Sequence, residues 1–298
     1  MELFSAIGSR DTAQIARLLA AGADVNFIEP LSGVSVFYRY VKNGATAEEV
    51  QGFFDRGANP NVPNSRTRET PLFVAVEAQN LAVIDTLLRG GANPNVEDRR
   101  GNSPLGNAIV LQNPEIVQRL LAGGANPNGD HNYDHVLGTA LKSRSPNANR
   151  ILQILLDAGA NPNALALTQR GTVHVLFYAV LFKNSYAVRA LLAAGADPNT
   201  VDTYNGQETY PLYEAVNAEN VEIVRLLANA GAYKEPRGFE GRAHALAGNL
   251  ENAEIVRILA AARRRHALGA FATASRSRRA SRRARRAARR AARRTRRH

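Results

Sequence analysis

Apolar side chains recur along this chain on a fixed grid. A Gly-Ala pair recurs at Gly22, Gly57, Gly91, Gly124, Gly159, Gly195 and Gly231, at intervals of 33 to 36 residues. Seven and four residues before each Gly the side chain is apolar: Ile15 and Leu18, Val50 and Phe53, Ile84 and Leu87, Val117 and Leu120, Leu152 and Leu155, Val188 and Leu191, Val224 and Leu227. That spacing is the buried stripe of an amphipathic helix. The Gly then supplies the left-handed residue that ends the helix. About twenty residues upstream of each Gly lies a second apolar run, clearest where it opens at Pro71, Pro104 and Pro211. It predicts a first helix with Pro in its opening turn. Between the two helices Asn80, Asn113, Asn184 and Asn220 recur, and their tolerance of φ > 0 predicts that they close a tight helix–helix turn. After most Gly-Ala pairs comes Asn or Asp, then Pro, then Asn, as at Asn59-Pro60-Asn61 and Asn93-Pro94-Asn95. Proline stops the helix and the short amides bond nearby backbone, so each segment leaves as a loop.

With these motifs in place, the sequence resembles the ankyrin repeat family over residues 1–262, best in the unit ETPLFVAVEAQNLAVIDTLLRGGANPNVED that starts at Glu69. The resemblance implies an all-α fold. Its expected form is an L-shaped ankyrin-repeat solenoid of about eight stacked antiparallel helix pairs, with hairpin-like loops on one side and a concave face that binds other proteins. The expected divisions are an N-capping unit over 1–30, units ending near 65, 98, 131, 166, 203 and 238, a C-capping unit over 239–262, and an Arg/Ala-rich tail over 263–298. As expected of caps, the first unit lacks an upstream loop and the last has Arg263 where the Gly would be. The His that closes the family's Thr-Pro-Leu-His tetrapeptide is replaced, for instance by Phe73, Gly106, Phe177 and Tyr213, so the polar network it supports is expected to be partly lost. The second unit, over 31–61, and the fifth, with a longer turn over 142–150, are irregular and are expected to be locally least stable.

Charge divides the chain in the same place. Of 38 Lys and Arg, 16 arginines lie between Arg263 and His298 with no acid among them, leaving 22 basic against 26 acidic residues in the body. The formal net charge of +12 is therefore −4 on the repeats and +16 on the tail. The absence of Cys excludes disulfides, thiolate catalysis and Cys-ligated metals. The N-terminal segment has no basic and apolar leader pattern, and the longest apolar stretch, 171–182, is too short to span a bilayer. Neither secretion nor membrane insertion is expected. The expected setting is intracellular, cytoplasmic or nuclear, and the expected state monomeric.

No Gly-rich phosphate loop, Gly-x-Ser-x-Gly or His-Glu-x-x-His is present, so neither an enzyme nor a cofactor is expected. One loop, GDHNYDH, gathers Asp130, His131, Asp134 and His135, donors for a metal; its reading as a solvated polar loop is preferred and no metal is expected. Binding to another protein is the expected use of the repeats. The candidate contacts are Arg99, Arg100, Asn132, Tyr133, Gln169, Arg170, Tyr204, Asn205, Tyr210 and Tyr213, because repeat proteins bind through loop tips and inner helices, and aromatic and Arg side chains anchor interfaces. The competing reading is that several of the tyrosines only cover neighbouring repeats.

From Arg278 the tail runs in units of 4, 3, 4, 4 and 3 residues, each opening on an Arg pair, with a mean of 3.6 that matches one helical turn. On a helical wheel Arg278, Arg279, Arg282, Arg283, Arg285, Arg286, Arg289, Arg290, Arg293, Arg294, Arg296 and Arg297 fall on one half and the Ala, Ser and Thr residues on the other. Like charges four residues apart oppose the helix. A tail disordered when free and helical on a polyanion is expected, with RNA or DNA bound through phosphates, independent of sequence. The cluster from Arg282 to Arg286 also resembles a nuclear targeting signal, and Ser281 follows a basophilic kinase pattern. A rival arrangement makes the tail the main functional element and the repeats a spacer or autoinhibitory partner. A biased extension without a role is a third.

Overall fold

The computed structural model describes residues 1–131, 134–143, 145–232, 238 and 241–265. The expectations for Asn132, Tyr133 and the tail arginines from Arg278 to Arg297 lie outside these residues. Helices come in pairs, as the double apolar run predicts: α1 (Glu2–Ser9) with α2 (Thr12–Ala20), α3 (Val36–Lys42) with α4 (Ala47–Phe54), α5 (Pro71–Glu77) with α6 (Leu81–Arg89), and α7 (Pro104–Val110) with α8 (Pro114–Ala122). They continue as α9 (Val136–Lys142) with α10 (Ala148–Asp157), α11 (Val175–Leu181) with α12 (Ser185–Ala193), α13 (Pro211–Asn217) with α14 (Val221–Ala230), and α15 (Arg242–Asn249). A last helix over 253–265 runs without a break through residue 262 and holds Arg263 where earlier units have Gly. Pro71, Pro104 and Pro211 each stand at a helix start, where a missing N–H costs nothing.

Among the described residues four loops carry short two-stranded hairpins: β1 (Ile28–Glu29) with β2 (Val34–Ser35), β3 (Asp130–His131) with β4 (Asp134–His135), β5 (Leu165–Thr168) with β6 (Gly171–His174), and β7 (Asp202–Tyr204) with β8 (Gln207–Thr209). The chain forms two compact units, Met1–Asp197 with Asp202–Glu208, and Pro198–Val201 with the chain from Thr209 onward. In the first, each leading helix packs on the next leading helix, α1 on α3 through α9 on α11, and from α4 onward each following helix packs on the next, through α12. In the second, α13 packs on both α14 and α15.

The predicted stripe is the core. Every member from Ile15 to Leu227 is buried except Leu18, at the N-terminal edge, which is half-buried. Each fully buried Leu, Ile or Val contributes about 1.5–3 kcal/mol. The helix-ending Gly is left-handed as predicted, with φ +83° at Gly91. The helix–helix turn differs from expectation. Gln79, Gln112, Lys183 and Glu219 take φ between +51° and +54°, and the Asn that follows each has φ between −83° and −108°. Asn80, Asn113, Asn184 and Asn220 are instead helix N-caps, their side-chain oxygens accepting from backbone N–H groups of the first turn at 3.0–3.2 Å.

The second Asn of the loop motif couples one unit to the next. Asn61 Nδ2 donates to Gly91 O at 3.0 Å while its Oδ1 accepts from Asn93 N at 2.7 Å. Asn26, Asn95, Asn128 and Asn163 make the same pair of bonds one unit further on, ending at Asp197. Repeats therefore share a polar ladder in addition to the apolar core.

Two units show what stands where the His is missing. In the second unit Tyr38 takes its place and its hydroxyl donates to Glu69 at 2.6 Å. Gly138 takes it in the fifth, where an added Cβ would lie 2.7 Å from an Asp134 carboxylate oxygen and 2.9 Å from Ala166. The irregular second unit is filled by rings: Phe37 lies 5.5 Å from Phe53 and 5.4 Å from Phe54, and Tyr40 stacks at 4.6 Å on Phe53.

Candidate protein-binding groove

In β5 and β6 the period of two sorts side chains by face: Ala166 and Val173 lie opposite each other and are buried, while Leu165 and Leu167 face outward. The hairpin tip is closed by Thr168, whose hydroxyl donates to Gly171 O at 2.6 Å and accepts from Arg170 N at 3.1 Å. Arg170 Nη1 then donates to the Tyr204 hydroxyl at 3.1 Å, linking two neighbouring hairpins, and the Tyr204 ring packs edge-on against Phe177. From the helices, Tyr178 meets Phe182 edge-on at 4.6 Å. Thr168, Arg170, Tyr178, Phe182 and Tyr204, with Lys142, Leu167, Leu181 and Gln169, line a groove of about 780 Å³ in the first unit.

Asp134 fixes the near wall. Only 3 % exposed, it accepts from Leu167 N at 2.6 Å and pairs with Lys142 Nζ at 3.0 Å, tying β4, β5 and α9 together. Asp202, also buried, repeats the device by accepting from His174 N at 2.7 Å. No carboxylate lines the groove, and Arg170 has no carboxylate partner among the described residues. Burial pushes the Tyr178 hydroxyl above its ordinary value, so that ring stays neutral. The groove is apolar and aromatic, with two cations at its edge.

Of the residues nominated from sequence, Gln169, Arg170 and Tyr204 come together here, and Asn205 follows Tyr204 at the tip, with φ +55°. Arg99, exposed, reaches the neighbouring loop, donating from its backbone to Thr67 O at 2.9 Å and from Nη2 to Ser65 O at 2.7 Å. Arg100 is exposed, with its backbone N–H held by Asp98. Tyr210 is not at a surface: it is 1 % exposed and its hydroxyl accepts from Ala243 N at 3.2 Å, inside the second unit. Tyr213 is half-buried there, its ring 5.9 Å from that of Tyr210. Lys142, Leu167, Tyr178, Leu181 and Phe182 were not nominated. Their signal was the end of α11, where Leu181 and Phe182 stand in place of Glu77-Ala78 and Lys142-Ser143 of earlier units.

In the GDHNYDH loop the described side chains have structural partners. Pairing of β3 with β4 sets Asp130 against His135, and Asp134 is already committed to Lys142 and Leu167. His135 Nδ1 accepts from Leu137 N at 3.2 Å, capping α9, and burial holds its pKa below the ordinary value against the opposing pull of Asp130 and Asp134. Among the described residues no three His, Asp or Glu side chains form a metal-binding group, and no helix is long and apolar enough to cross a membrane.

Comparison with known proteins agrees with this geometry. The description "Ankyrin repeats (3 copies)" matches residues 176–268, and "Ankyrin repeat" matches residues 67–99. Among solved structures the chain is similar to an ankyrin repeat domain from Acinetobacter baumannii AYE, at 24% identity over 65% of this chain and 98% of that one, with a TM-score of 0.57. The human ASB11 ankyrin repeat domain is similar at 21% identity over 77% and 97%, with a TM-score of 0.53. The ankyrin repeat domain of Bcl-3, of the IkappaB protein family, is similar at 22% over 76% and 97%, with a TM-score of 0.61. At these identities the likeness establishes the fold. No curated protein matches the chain.

Proposed function

Because the chain is an ankyrin-repeat protein, we propose that it is a non-enzymatic scaffold whose repeats recognise another protein while the Arg-rich tail contacts nucleic acid or directs the chain to the nucleus. Ankyrin repeats generally mediate protein–protein interaction and are typically non-enzymatic. The observation that carries the reading is the groove: Gln169, Arg170 and Tyr204, nominated separately as binding residues, meet around exposed apolar side chains that the stack does not use. Phe182 is 41 % exposed and Leu167 39 %, and large side chains left uncovered beside an Arg are what protein interfaces select. For the tail the support is compositional: sixteen arginines without an acid favour phosphate polyanions through counterion release.

Affinity purification from the native host tests this, with the full chain and a chain ending at Arg265, each treated with nuclease. Protein partners retained by both chains after nuclease support the scaffold. Partners that vanish with the tail or the nucleic acid favour the rival arrangement, in which the tail is the working part and the repeats a spacer.

A further inference from the structure

We infer that the groove between the β5–β6 tip and α11 takes an acidic peptide segment, one that places a long aliphatic or aromatic side chain next to an Asp or Glu. This rests on the reading of the repeats as a protein-binding surface and names the chemistry of the partner. Three observations converge on it. Phe182, Leu167 and Leu181 form an apolar floor open to solvent, and about 780 Å³ is room for one or two bulky side chains. Among the described residues Arg170 at the rim meets neutral groups, its Nη1 donating to the Tyr204 hydroxyl at 3.1 Å and its guanidinium carbon lying 5.3 Å from the centre of that ring. A guanidinium held this way has further N–H donors free to meet a carboxylate. Third, no acid is among the residues that line the groove, and because Lys142 is already paired with buried Asp134 at 3.0 Å, Arg170 is the cation that an incoming carboxylate would meet.

A nucleic acid fits this surface less well. Two cations, one of them already paired with Asp134, match few phosphates. A basic residue beside the anchor would be disfavoured by Arg170.

The test selects random phage-displayed peptides on the immobilised full chain, then measures synthetic consensus peptides by fluorescence anisotropy on the full chain and on its Arg170→Glu and Phe182→Ser variants. Both positions are exposed, and thermal melts matching the parent show that each variant folds. The tail attracts acidic peptides too, but tail-bound peptides are indifferent to both substitutions. The expected result is enrichment of sequences joining an apolar anchor to Asp or Glu, with affinity about tenfold weaker in each variant. Exchanging the acid for Lys restores binding to Arg170→Glu. Peptides whose affinity neither variant changes overturn the groove assignment and leave the scaffold reading standing. Enrichment of acid-only sequences insensitive to Phe182→Ser overturns it as tail binding. A single-stranded oligonucleotide that displaces the peptide from the parent, and binds Phe182→Ser more weakly, overturns it in favour of nucleic acid. No enrichment over bare matrix overturns the groove assignment and leaves the scaffold reading to the affinity purification.

Discussion

Asn95 holds two neighbours at once. Its amide nitrogen donates to Gly124 O at 3.0 Å and its carbonyl accepts from Asn126 N at 2.7 Å, both in the following unit. Replacing Asn95 with Ala removes both of these exposed bonds, and urea denaturation is expected to show a loss of about 1 kcal/mol. Asn95→Asp, which keeps only the acceptor, falls between. Equal stability of all three would mean that water replaces the ladder. The sequence displayed these amides but not their use, because a partner about thirty residues away leaves no local trace. Asn80 and its equivalents were misread for a similar reason: the left-handed residue is the one before, and Gln79 or Lys183 carries no side-chain signal for φ > 0. His135 gives a pH prediction at the same scale. Burial lowers its folded pKa, so as pH falls below about 6.5 the unfolded chain binds the proton first and stability drops. Protonation also removes the Nδ1 acceptor that caps α9. His135→Asn keeps an acceptor that does not titrate, and denaturation across a pH series should show a shallower acid decline for the variant. Superimposable pH curves would contradict this.

Helices and loops were legible to different depths. Each following helix was readable because its stripe repeats at helical spacing and ends at a Gly, and burial of Ile84, Leu87, Val117 and Leu120 bears that out. The hairpins were legible only as loops implied by resemblance, since strands of two to four residues are too short to show alternation. What joins hairpin to helix was invisible: Asp134, weighed as a metal ligand, is the strut that holds Leu167 N and Lys142 in place. Gly138 shows how closely those elements approach. Gly138→Ala would press its methyl group to 2.7 Å from Asp134 and 2.9 Å from Ala166, and a loss of about 1–3 kcal/mol is expected in thermal or chemical denaturation, with peptide binding at the groove weakened alongside. Unchanged stability would show that the β4–β5 wall yields freely.

At the scale of the whole molecule the charge partition carries the account. The repeats are −4 and the tail +16, so polyanion binding and protein recognition should be separable. RNA affinity of the full chain is expected to fall steeply as salt rises, and a chain ending at Arg265 should lose most of the affinity and nearly all of the salt slope. Retained affinity after that deletion would assign nucleic-acid binding to the repeats. The groove was only half legible from sequence. Gln169, Arg170 and Tyr204 were nominated by residue type and loop position, but their meeting with Phe182 depends on how neighbouring hairpins stack, which no single segment encodes. The most direct test is crosslinking mass spectrometry of the full chain with a partner isolated after nuclease treatment. Crosslinks from Lys142 and Lys183, which lie at the groove and beside Phe182, are the predicted result, and Arg170→Glu should weaken them. Partner crosslinks absent from the repeats, with association abolished by deleting the residues after Arg265, would contradict the account.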